Sequence, residues 1–299
     1  MDFRTKNGFK DIQVVLKELN LYGGEIDGVW GSKSASGVVE LMRTYAAFIG
    51  RGIFTAASMP VKATADGKNI VEQLQLYMKD MGVYLGSIDR VWGKGSLGGI
   101  RLMGEHFRKT NNLPSYDMAW SKKVSREFRR KITDWCKKHG FAPEVADWLM
   151  ACMHFESAGT FSPSIQNKAG AQAFGLIQFM KGAASDLGYT LDQVKAMDQL
   201  TQLDLVFKYF EFWMRAGKRY TQLEDFYLTI FYPAAVGKKA DQVLFDKNDP
   251  KFLKSYTQNK GFDVDKDDKI TIGEISSTIY NSYYAGMDPA NRLPLLTSV

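Results

Sequence analysis

Residues 154–163 read His154-Phe155-Glu156-Ser157-Ala158-Gly159-Thr160-Phe161-Ser162-Pro163, and they lie where a helical pattern stops. The apolar residues before them recur at helical spacing, namely Val145, Trp148, Leu149, Cys152 and Met153. Glu156 continues this series, whereas Gly159 and Pro163 disfavour its extension. We therefore predict a helix that ends near Glu156, with its carboxyl group partly enclosed by apolar side chains.

An enclosed carboxyl group differs chemically from an exposed one. Apolar surroundings disfavour the ionised form and raise the pKa, so such a Glu can donate a proton near neutral pH. Cleavage of a glycosidic bond begins with proton donation of this kind. The alternative is a carboxylate at a helix end that is simply exposed to water. Glu156 alone does not separate these two interpretations.

Two further motifs favour the first interpretation. Gly175-Leu176-Ile177-Gln178-Phe179 follows Glu156-Ser157 after a turn that includes Ala169-Gly170-Ala171, and Phe231-Tyr232-Pro233-Ala234-Ala235 comes later. Together these motifs resemble the soluble lytic transglycosylase family, a lysozyme-like group that cuts peptidoglycan. That family has Glu-Ser, Gly-Leu-Met-Gln and Ala-Tyr-Asn at the corresponding places. The Pro that replaces Asn resembles a variant of modular endolysins from giant bacteriophages.

The resemblance implies a set of site residues. Glu156 would be the catalytic acid and Tyr232 a catalytic residue that orients it or the substrate, while the substrate would contact Ser157, Gly175, Gln178 and Phe179. The implied reaction cuts the β-1,4 bond between N-acetylmuramic acid and N-acetylglucosamine and leaves a 1,6-anhydromuramoyl product. One alternative is a hydrolytic muramidase, although the sequence marks no second carboxylate, since Asp186 and Asp204 have no motif support. The other is an inactive peptidoglycan-binding virion protein.

The first hundred residues contain an internal repeat. Residues 22–31 recur as residues 84–93, with Asp27 matched by Asp89 and Gln13 by Gln75, an offset of 62 residues. Each copy predicts an amphipathic helix, a Gly-containing turn and a second helix. The pattern resembles the small three-helix peptidoglycan-binding domain. Arg90 is a departure, because that family has Gly at this position.

The predicted fold class is all-α. We predict peptidoglycan-binding domains at residues 1–52 and 53–113 and a lysozyme-like catalytic domain at residues 114–299, divided by a turn-rich stretch at 110–116. The third domain is expected to be almost wholly helical, with helices at 121–139, 143–156, 178–187, 191–216, 221–231 and 271–285.

Residues 263–274 match an EF-hand calcium loop at most ligand positions, which are Asp263, Asp265, Asp267 and Glu274. Asp268 stands where the loop normally has Gly. The alternative is a helix start in which Thr271 and Glu274 form a capping box. Any calcium here is expected to be structural, and no cofactor is expected for catalysis. The three histidines lack the spacing of zinc ligands, which argues against a zinc hydrolase.

The net charge of +6 is concentrated in residues 101–140, which carry eleven Lys or Arg and four Asp or Glu. This segment is either a solvated helix face or a surface attracted to the acidic cell wall. The predicted partner is the glycan strand of peptidoglycan, with no nucleic acid and no stable membrane insertion, and the protein is expected to be a monomer. Residues 1–8 show no signal peptide. We expect synthesis in a host cytoplasm, holin-type release, and free thiols at Cys136 and Cys152.

Overall fold

The computed structural model describes residues 1–51, 59–166 and 172–295. The predicted boundary between residues 52 and 53 and the turn at 169–171 lie outside these ranges. The protein is mostly helical, with 57% helix and 6% strand, and the described part contains twelve α-helices. This confirms the predicted all-α class. The chain forms two compact units, one made of residues 1–117 and 288–299 and the other of residues 118–287.

Within its described residues, the first unit contains four α-helices and one small sheet. The helices are α1 Phe3–Glu18, α2 Ser32–Phe48, α3 Lys68–Asp80 and α4 Lys94–Thr110, and the strands are β1 Ser115–Tyr116 and β6 Pro294–Leu295. The two strands pair antiparallel. Each copy of the sequence repeat therefore supplies two helices joined by a turn.

Both copies of the repeat contribute to one hydrophobic core, which extends from Phe9 in α1 to Phe107 in α4. A Cβ on Gly8 would lie 2.4 Å from the ring of Trp92, so helix α1 needs glycine where the second copy packs on it. Gly104 of α4 likewise faces Val15 of α1. The structure thus differs from the predicted division into two separately cored domains, because two helices per copy enclose too little apolar surface alone.

A glutamine organises the turn of the first copy. The Gln13 Nε2 donates to the hydroxyl of Tyr22 (3.0 Å), to Oδ1 of Asp27 (2.9 Å) and to the carbonyl of Val29 (3.0 Å). Its Oε1 accepts the amide of Gly28 at 2.8 Å. The Gln and Asp of the sequence pattern are therefore structural, since they satisfy the polar groups of a tight turn.

The second copy repeats these bonds. The Gln75 Nε2 donates to Tyr84 (3.2 Å), Asp89 (2.8 Å) and the carbonyl of Val91 (3.1 Å), and its Oε1 accepts the amide of Arg90 at 3.0 Å. Arg90 adopts the left-handed conformation with φ of 61°. The turn therefore keeps its shape despite the departure from Gly.

The chain's last described residues belong to the first unit. Arg292 forms an ion pair with Glu18 and donates to the backbone carbonyls of Tyr116 (3.2 Å) and Asp117 (2.6 Å). Arg108 of α4 pairs with the same Glu18 at 2.8 Å. The prediction placed residues 288–295 in the catalytic domain, and these long-range polar contacts explain the difference.

The second unit contains eight helices and two small sheets within residues 118–166 and 172–287. The helices are α5 Arg126–Lys138, α6 Glu144–Glu156, α7 Lys181–Asp186, α8 Leu191–Lys195, α9 Gln199–Arg215, α10 Leu223–Phe231, α11 Leu253–Asn259 and α12 Ile272–Met287. The strands are β2 Ala173–Phe174, β3 Phe179–Met180, β4 Val243–Asp246 and β5 Lys269–Thr271. Strand β2 pairs antiparallel with β3, and β4 with β5.

Each predicted helix of this unit has a counterpart in the structure, but several details differ. The helix expected at 121–139 is a 3-10 turn at 121–123 followed by α5 from Arg126, and neither α11 nor the two small sheets were predicted. Two further differences have a local cause. The single helix expected at 191–216 is two helices, because Asp198 caps α9 by accepting the amides of Leu200 (2.9 Å) and Thr201 (2.8 Å). The helix expected from residue 178 begins at Lys181, since Gln178 has a φ of 52° and Phe179 is in strand β3.

Helix α6 is the central element of the second unit and packs against α5, α10 and α12. Its residues Met150, Ala151, Cys152 and Met153 are fully buried, so α6 is apolar on nearly every side. Cys136 and Cys152 are both buried free thiols, as predicted. Among the described residues, we find no helix that combines the length and apolar character needed to cross a membrane.

Candidate active site

Glu156 is the last residue of α6, as predicted from the sequence. The helix ends there because Ala158 and Gly159 adopt positive φ values of 49° and 78°. The amide of Gly159 returns to the carbonyl of His154 at 2.7 Å, which closes the helix end. The carboxyl group is thus attached to a rigid, buried helix and is itself half-buried.

Burial raises the pKa of Glu156 to about 7. A hydrogen bond from the hydroxyl of Tyr227 opposes this shift, because it favours the ionised carboxylate. The side chain retains partial contact with solvent even though protein atoms enclose most of the carboxyl group. Glu156 can therefore hold a proton near neutral pH and deliver it to a molecule in contact with the exposed part.

Tyr227 holds this carboxyl group in place from helix α10. The ring lies edge-on to Phe155 at 5.4 Å between centroids and stacks on Phe231 at 6.1 Å. Burial and the neighbouring Glu156 raise the pKa of Tyr227 well above its ordinary value, so the hydroxyl remains a donor. The sequence pattern does not distinguish Tyr227 from the other aromatic residues of this region. Its proximity in sequence to Tyr232 was the available signal.

Tyr232 lies at the end of the same helix α10. Pro233 follows and begins a short 3-10 turn, so α10 ends at Phe231 and Tyr232 is the residue that caps it. The ring is 37% exposed and lies edge-on to Phe245 at 5.8 Å. The hydroxyl that hydrogen-bonds to Glu156 is therefore that of Tyr227, and Tyr232 is an exposed ring just after the end of α10.

Ser157 has a different environment from the one that the sequence motif predicts. The side chain is fully buried, and its Oγ accepts the amide of Phe161 at 2.9 Å. Its carbonyl accepts the hydroxyl of Thr160 at 2.7 Å. Since the hydroxyl is enclosed in the turn after α6, this placement favours a structural role over the predicted contact with substrate.

Gly175 is required by packing. Its φ is 84°, and a Cβ there would lie 2.0 Å from Oε1 of Gln202. Gln202 of α9 is fully buried, and its Oε1 accepts the amide of Leu176 at 2.8 Å. The Gln202 Nε2 donates to the carbonyls of Pro163 (2.8 Å) and Val194 (3.0 Å). Gln202 thus positions the segments around the site, and no sequence motif indicated it.

The next two motif residues have opposite environments. The Nε2 of Gln178 donates to the carbonyls of Ile165 (3.2 Å) and Gly175 (3.0 Å), while its Oε1 is buried without a hydrogen-bond partner among the described residues. Because this oxygen is enclosed by protein, a substrate could reach it only after a rearrangement, and the substrate contact of Gln178 stays a prediction. Phe179 is 1% exposed and packs edge-on against Tyr209 at 6.1 Å. Its predicted substrate contact does not fit this core position.

His154 anchors the end of α6 to α12. The ring stacks on Trp120 at 3.6 Å, and Nδ1 lies 3.1 Å from the hydroxyl of Ser282. That hydroxyl donates its proton to the carbonyl of Ala151 at 3.1 Å, so Nδ1 must donate to it. Burial lowers the pKa of His154 to about 4, and the ring therefore stays neutral near pH 7.

Three other carboxyl groups of the second unit can be compared as candidates for a second catalytic carboxylate. Asp204 pairs with Lys131 at 2.7 Å, and Asp186 is exposed at the end of α7. Glu224 lies one turn before Tyr227 on α10 and accepts the hydroxyl of Tyr280 at 2.9 Å. Burial raises the pKa of Glu224. This residue has no sequence motif, and it is the better enclosed of the three carboxyl groups.

The acidic loop brings three predicted metal ligands together. Carboxylate oxygens of Asp263, Asp265 and Asp267 lie within 4.8 Å of one another. Asp268 has a φ of 67°, so it closes the turn as Gly would. Oδ1 of Asp263 is buried and has no hydrogen-bond partner among the described residues, while its Oδ2 accepts the hydroxyl of Tyr256 at 2.6 Å. This unsatisfied oxygen and the all-oxygen donor set fit a calcium ion.

Glu274 belongs to the capping arrangement that was the alternative prediction. Its Oε2 accepts the amide of Thr271 at 2.8 Å, and the hydroxyl of Thr271 accepts the amide of Glu274 at 3.2 Å. Its Oε1 accepts the amide of Val264 at 2.8 Å. The capping box is therefore present, and Glu274 would have to rotate to become a fourth ligand.

No known protein-family model matches this chain, and no curated protein matches it either.

Proposed function

We propose that the chain is a modular endolysin that degrades bacterial peptidoglycan. In this proposal, the second unit cleaves the β-1,4 bond between N-acetylmuramic acid and N-acetylglucosamine, and the first unit binds the wall. The observation that carries the proposal is the Glu156 carboxyl group, half-buried at a helix end, with its pKa raised to about 7. A carboxylic acid of this kind is what glycosidic bond cleavage requires.

The proposed reaction begins with proton transfer from Glu156 to the glycosidic oxygen. The bond between that oxygen and the muramoyl anomeric carbon breaks, and positive charge develops on the sugar. The Glu156 carboxylate, now ionised, accepts the hydrogen bond of Tyr227, which stabilises this form. It then takes the proton of the muramoyl 6-hydroxyl, whose oxygen bonds to the anomeric carbon and closes a 1,6-anhydro ring.

An internal nucleophile suits a site with one well-placed acid. A hydroxyl group on the same sugar has a high effective concentration at the anomeric carbon, so no second carboxylate is needed to hold water. A hydrolase would need such a group about 5–9.5 Å from the acid. If water is the nucleophile, Glu224 is the residue to examine, and its environment would then have to favour the ionised form that a base needs, which burial opposes by raising its pKa.

The products test the reaction. Digestion of purified sacculi is expected to give 1,6-anhydromuramoyl ends, which are lighter by one water than reducing ends and resist borohydride. Mass spectrometry before and after borohydride treatment measures both properties. Reducible muramic acid ends alone would contradict the transglycosylase assignment and support a muramidase, whereas intact sacculi would support an inactive binding protein.

The pH dependence tests the Tyr227–Glu156 hydrogen bond. Activity is expected to decline above about pH 7, where Glu156 loses the proton that the first step needs. Tyr227→Phe removes a donor to the carboxylate, so the pKa of Glu156 should rise and the alkaline limb should move to higher pH. Initial rates on sacculi between pH 5 and 9 measure this shift. If the alkaline limb of the pH–rate profile is the same in Tyr227→Phe as in the wild type, the hydrogen bond from Tyr227 does not influence the pKa of Glu156.

We also propose that the enzyme is a monomer made in a host cytoplasm and released to the wall by a holin-type protein. The partner is the peptidoglycan glycan strand. We propose neither a nucleic-acid partner nor a segment inserted in a membrane.

We propose in addition that the loop of residues 263–274 binds calcium for stability. The carboxylates of Asp263, Asp265 and Asp267 lie close enough to share one ion, and Oδ1 of Asp263 lacks another partner among the described residues. Calcium at 100 times its dissociation constant would stabilise the folded state by about 2.7 kcal/mol. A rise in melting temperature with calcium, absent in Asp265→Asn, is the expected result. An identical melting temperature in calcium and in chelator would contradict the proposal.

A further inference from the structure

One of the rings around Tyr227 comes from a part of the chain that has no site motif. Phe262 ends a 3-10 turn between α11 and β5. The centroid of its ring lies 6.4 Å from that of Tyr227, 6.2 Å from that of Phe155 and 5.1 Å from that of Phe231. These are the distances of favourable aromatic pairs. Phe262 therefore contacts both the residue that hydrogen-bonds to Glu156 and the residue that precedes Glu156 in α6.

The rings around Tyr227 separate it from solvent. Tyr227 is 1% exposed, whereas Phe155, Phe231 and Phe262 are each partly exposed. Phe155 belongs to α6 and Phe231 to α10, so these two rings come with the helices that carry Glu156 and Tyr227. Of the three, Phe262 is the ring that a different segment supplies.

The position of Phe262 is fixed from both sides of the 3-10 turn's end. The next residue, Asp263, accepts the hydroxyl of Tyr256 in α11 at 2.6 Å, and Tyr256 is itself buried. The amide of Val264 donates to Oε1 of Glu274 in α12 at 2.8 Å. The backbone next to Phe262 is thus attached to two helices, and this holds the ring against the end of α6.

The proton affinity of Glu156 depends on how well its surroundings exclude water. Burial raises its pKa, and the hydrogen bond from Tyr227 opposes this. Among the described residues, Cys152 on α6, Tyr209 on α9 and Tyr227 on α10 are titratable groups that interact with Glu156. Burial raises the pKa of all three, so each is neutral near pH 7. Access of water to this end of α6 would therefore favour the ionised form of Glu156.

We propose that Phe262 is a positioning residue for the reaction, whose ring keeps water from Tyr227 and from the end of α6 that carries Glu156. This inference rests on the catalytic role proposed for Glu156. Phe262 acts through its contacts with the rings of Tyr227 and Phe155. Without the ring, water can hydrogen-bond to the Glu156 carboxylate and stabilise it, so Glu156 loses its proton at a lower pH.

The pH–rate profile on sacculi tests this role in the full chain. Phe262→Ala is expected to move the alkaline limb down by about one pH unit. The rate near pH 8 should then be about tenfold below that of the wild type, when each protein is scaled to its own rate near pH 5. The direction is opposite to that expected for Tyr227→Phe, so displacement of the Tyr227 hydroxyl alone would not produce it.

Phe262→Leu extends the test, because it keeps part of the apolar cover. The limb should move in the same direction as in Phe262→Ala but by a smaller amount. This variant carries the test if Phe262→Ala does not fold.

Phe252→Ala is the matched control. Phe252 is also partly exposed and also lies between β4 and β5, but its ring packs on Phe245, at 6.2 Å between centroids. We expect the alkaline limb of this variant to coincide with that of the wild type.

The titration of Glu156 can also be followed without measuring activity. Carbon-13 NMR of the Glu carboxyl groups, with one signal assigned by its loss in Glu156→Gln, gives the midpoint directly. The midpoint should fall in Phe262→Ala by the same amount as the limb. An unchanged midpoint, or an equal fall in Phe252→Ala, would overturn this inference alone. The expected fall in a protein that leaves sacculi intact would refute the catalytic role of Glu156, and with it the role of Phe262 in that reaction.

Discussion

Glu156→Gln is expected to reduce the rate of peptidoglycan cleavage by at least about 10²–10⁴-fold, the usual contribution of general acid–base catalysis. The amide has nearly the same shape as the carboxylic acid, and it can still accept the hydrogen bond of Tyr227. It has no acidic proton to give to the glycosidic oxygen. Loss of turbidity of purified sacculi measures the rate, and substantial activity in this variant would remove Glu156 from the mechanism.

Glu144→Gln is the matched control, because Glu144 lies in the first turn of the same helix α6. We expect nearly unchanged activity from it.

The melting temperature distinguishes a loss of catalysis in Glu156→Gln from a loss of folded protein. The folded protein raises the pKa of Glu156 from 4.5 to about 7, so it binds this proton more tightly than the unfolded chain. The group's contribution to stability therefore falls as pH rises through this range. Glu156→Gln should consequently melt no lower than the wild type at pH 8.

The end of α6 was predictable because the information is local. Apolar spacing identifies the helix, while Gly159 and Pro163 mark its end. The bond from Tyr227 was not predictable in the same way. The region from Phe207 to Phe231 contains many aromatic residues, and most of them, including Phe210 and Phe226, are buried in the core. Only the packing of α10 against α6 shows which ring brings its hydroxyl to Glu156.

The motif residues around the site show a second limit of sequence interpretation. Ser157 and Gly175 match a pattern associated with a substrate cleft, yet their contacts are with Phe161 and Gln202 inside the protein. A sequence pattern records that a residue is needed at a position, but it does not record why. Phe179 is similar, because its place in strand β3 turns the ring towards Tyr209.

Which residues belong to the first unit depends on contacts between distant parts of the chain, and no local sequence pattern indicates those contacts. Glu18 and Arg292 are 274 positions apart in the chain, and each is an ordinary charged residue by sequence. Their pairing becomes apparent only when β6 lies beside β1. The repeat itself was visible, but the shared core was not, because helical periodicity identifies an apolar face without identifying the helix that covers it.

Glu18→Ala is expected to lower the free energy of unfolding of the first unit by about 3–5 kcal/mol. Glu18 forms ion pairs with both Arg108, at 2.8 Å, and Arg292. The side chains of all three residues are at most 12% exposed. Removal of this carboxylate takes away the negative charge that lies between two largely buried guanidinium groups, although Arg108 keeps Glu105 and Arg292 keeps the carbonyls of Tyr116 and Asp117. The loss should also release the segment that follows Asp288, since Arg292 holds it against Tyr116 and Asp117.

Hydrogen exchange read by mass spectrometry can locate this effect. Peptides from α1, α4 and β6 should lose protection in Glu18→Ala, while peptides from α6 and α10 in the second unit should keep theirs. Glu40→Ala is the matched control, because Glu40 pairs with Arg43 at 3.2 Å on the surface of the same unit, with 47% and 63% of the side chains exposed. An exposed pair of this kind contributes about 0–1 kcal/mol, so its removal should leave the exchange pattern unchanged. Equal effects of the two variants would show that the buried triad does not hold the chain's end to the first unit.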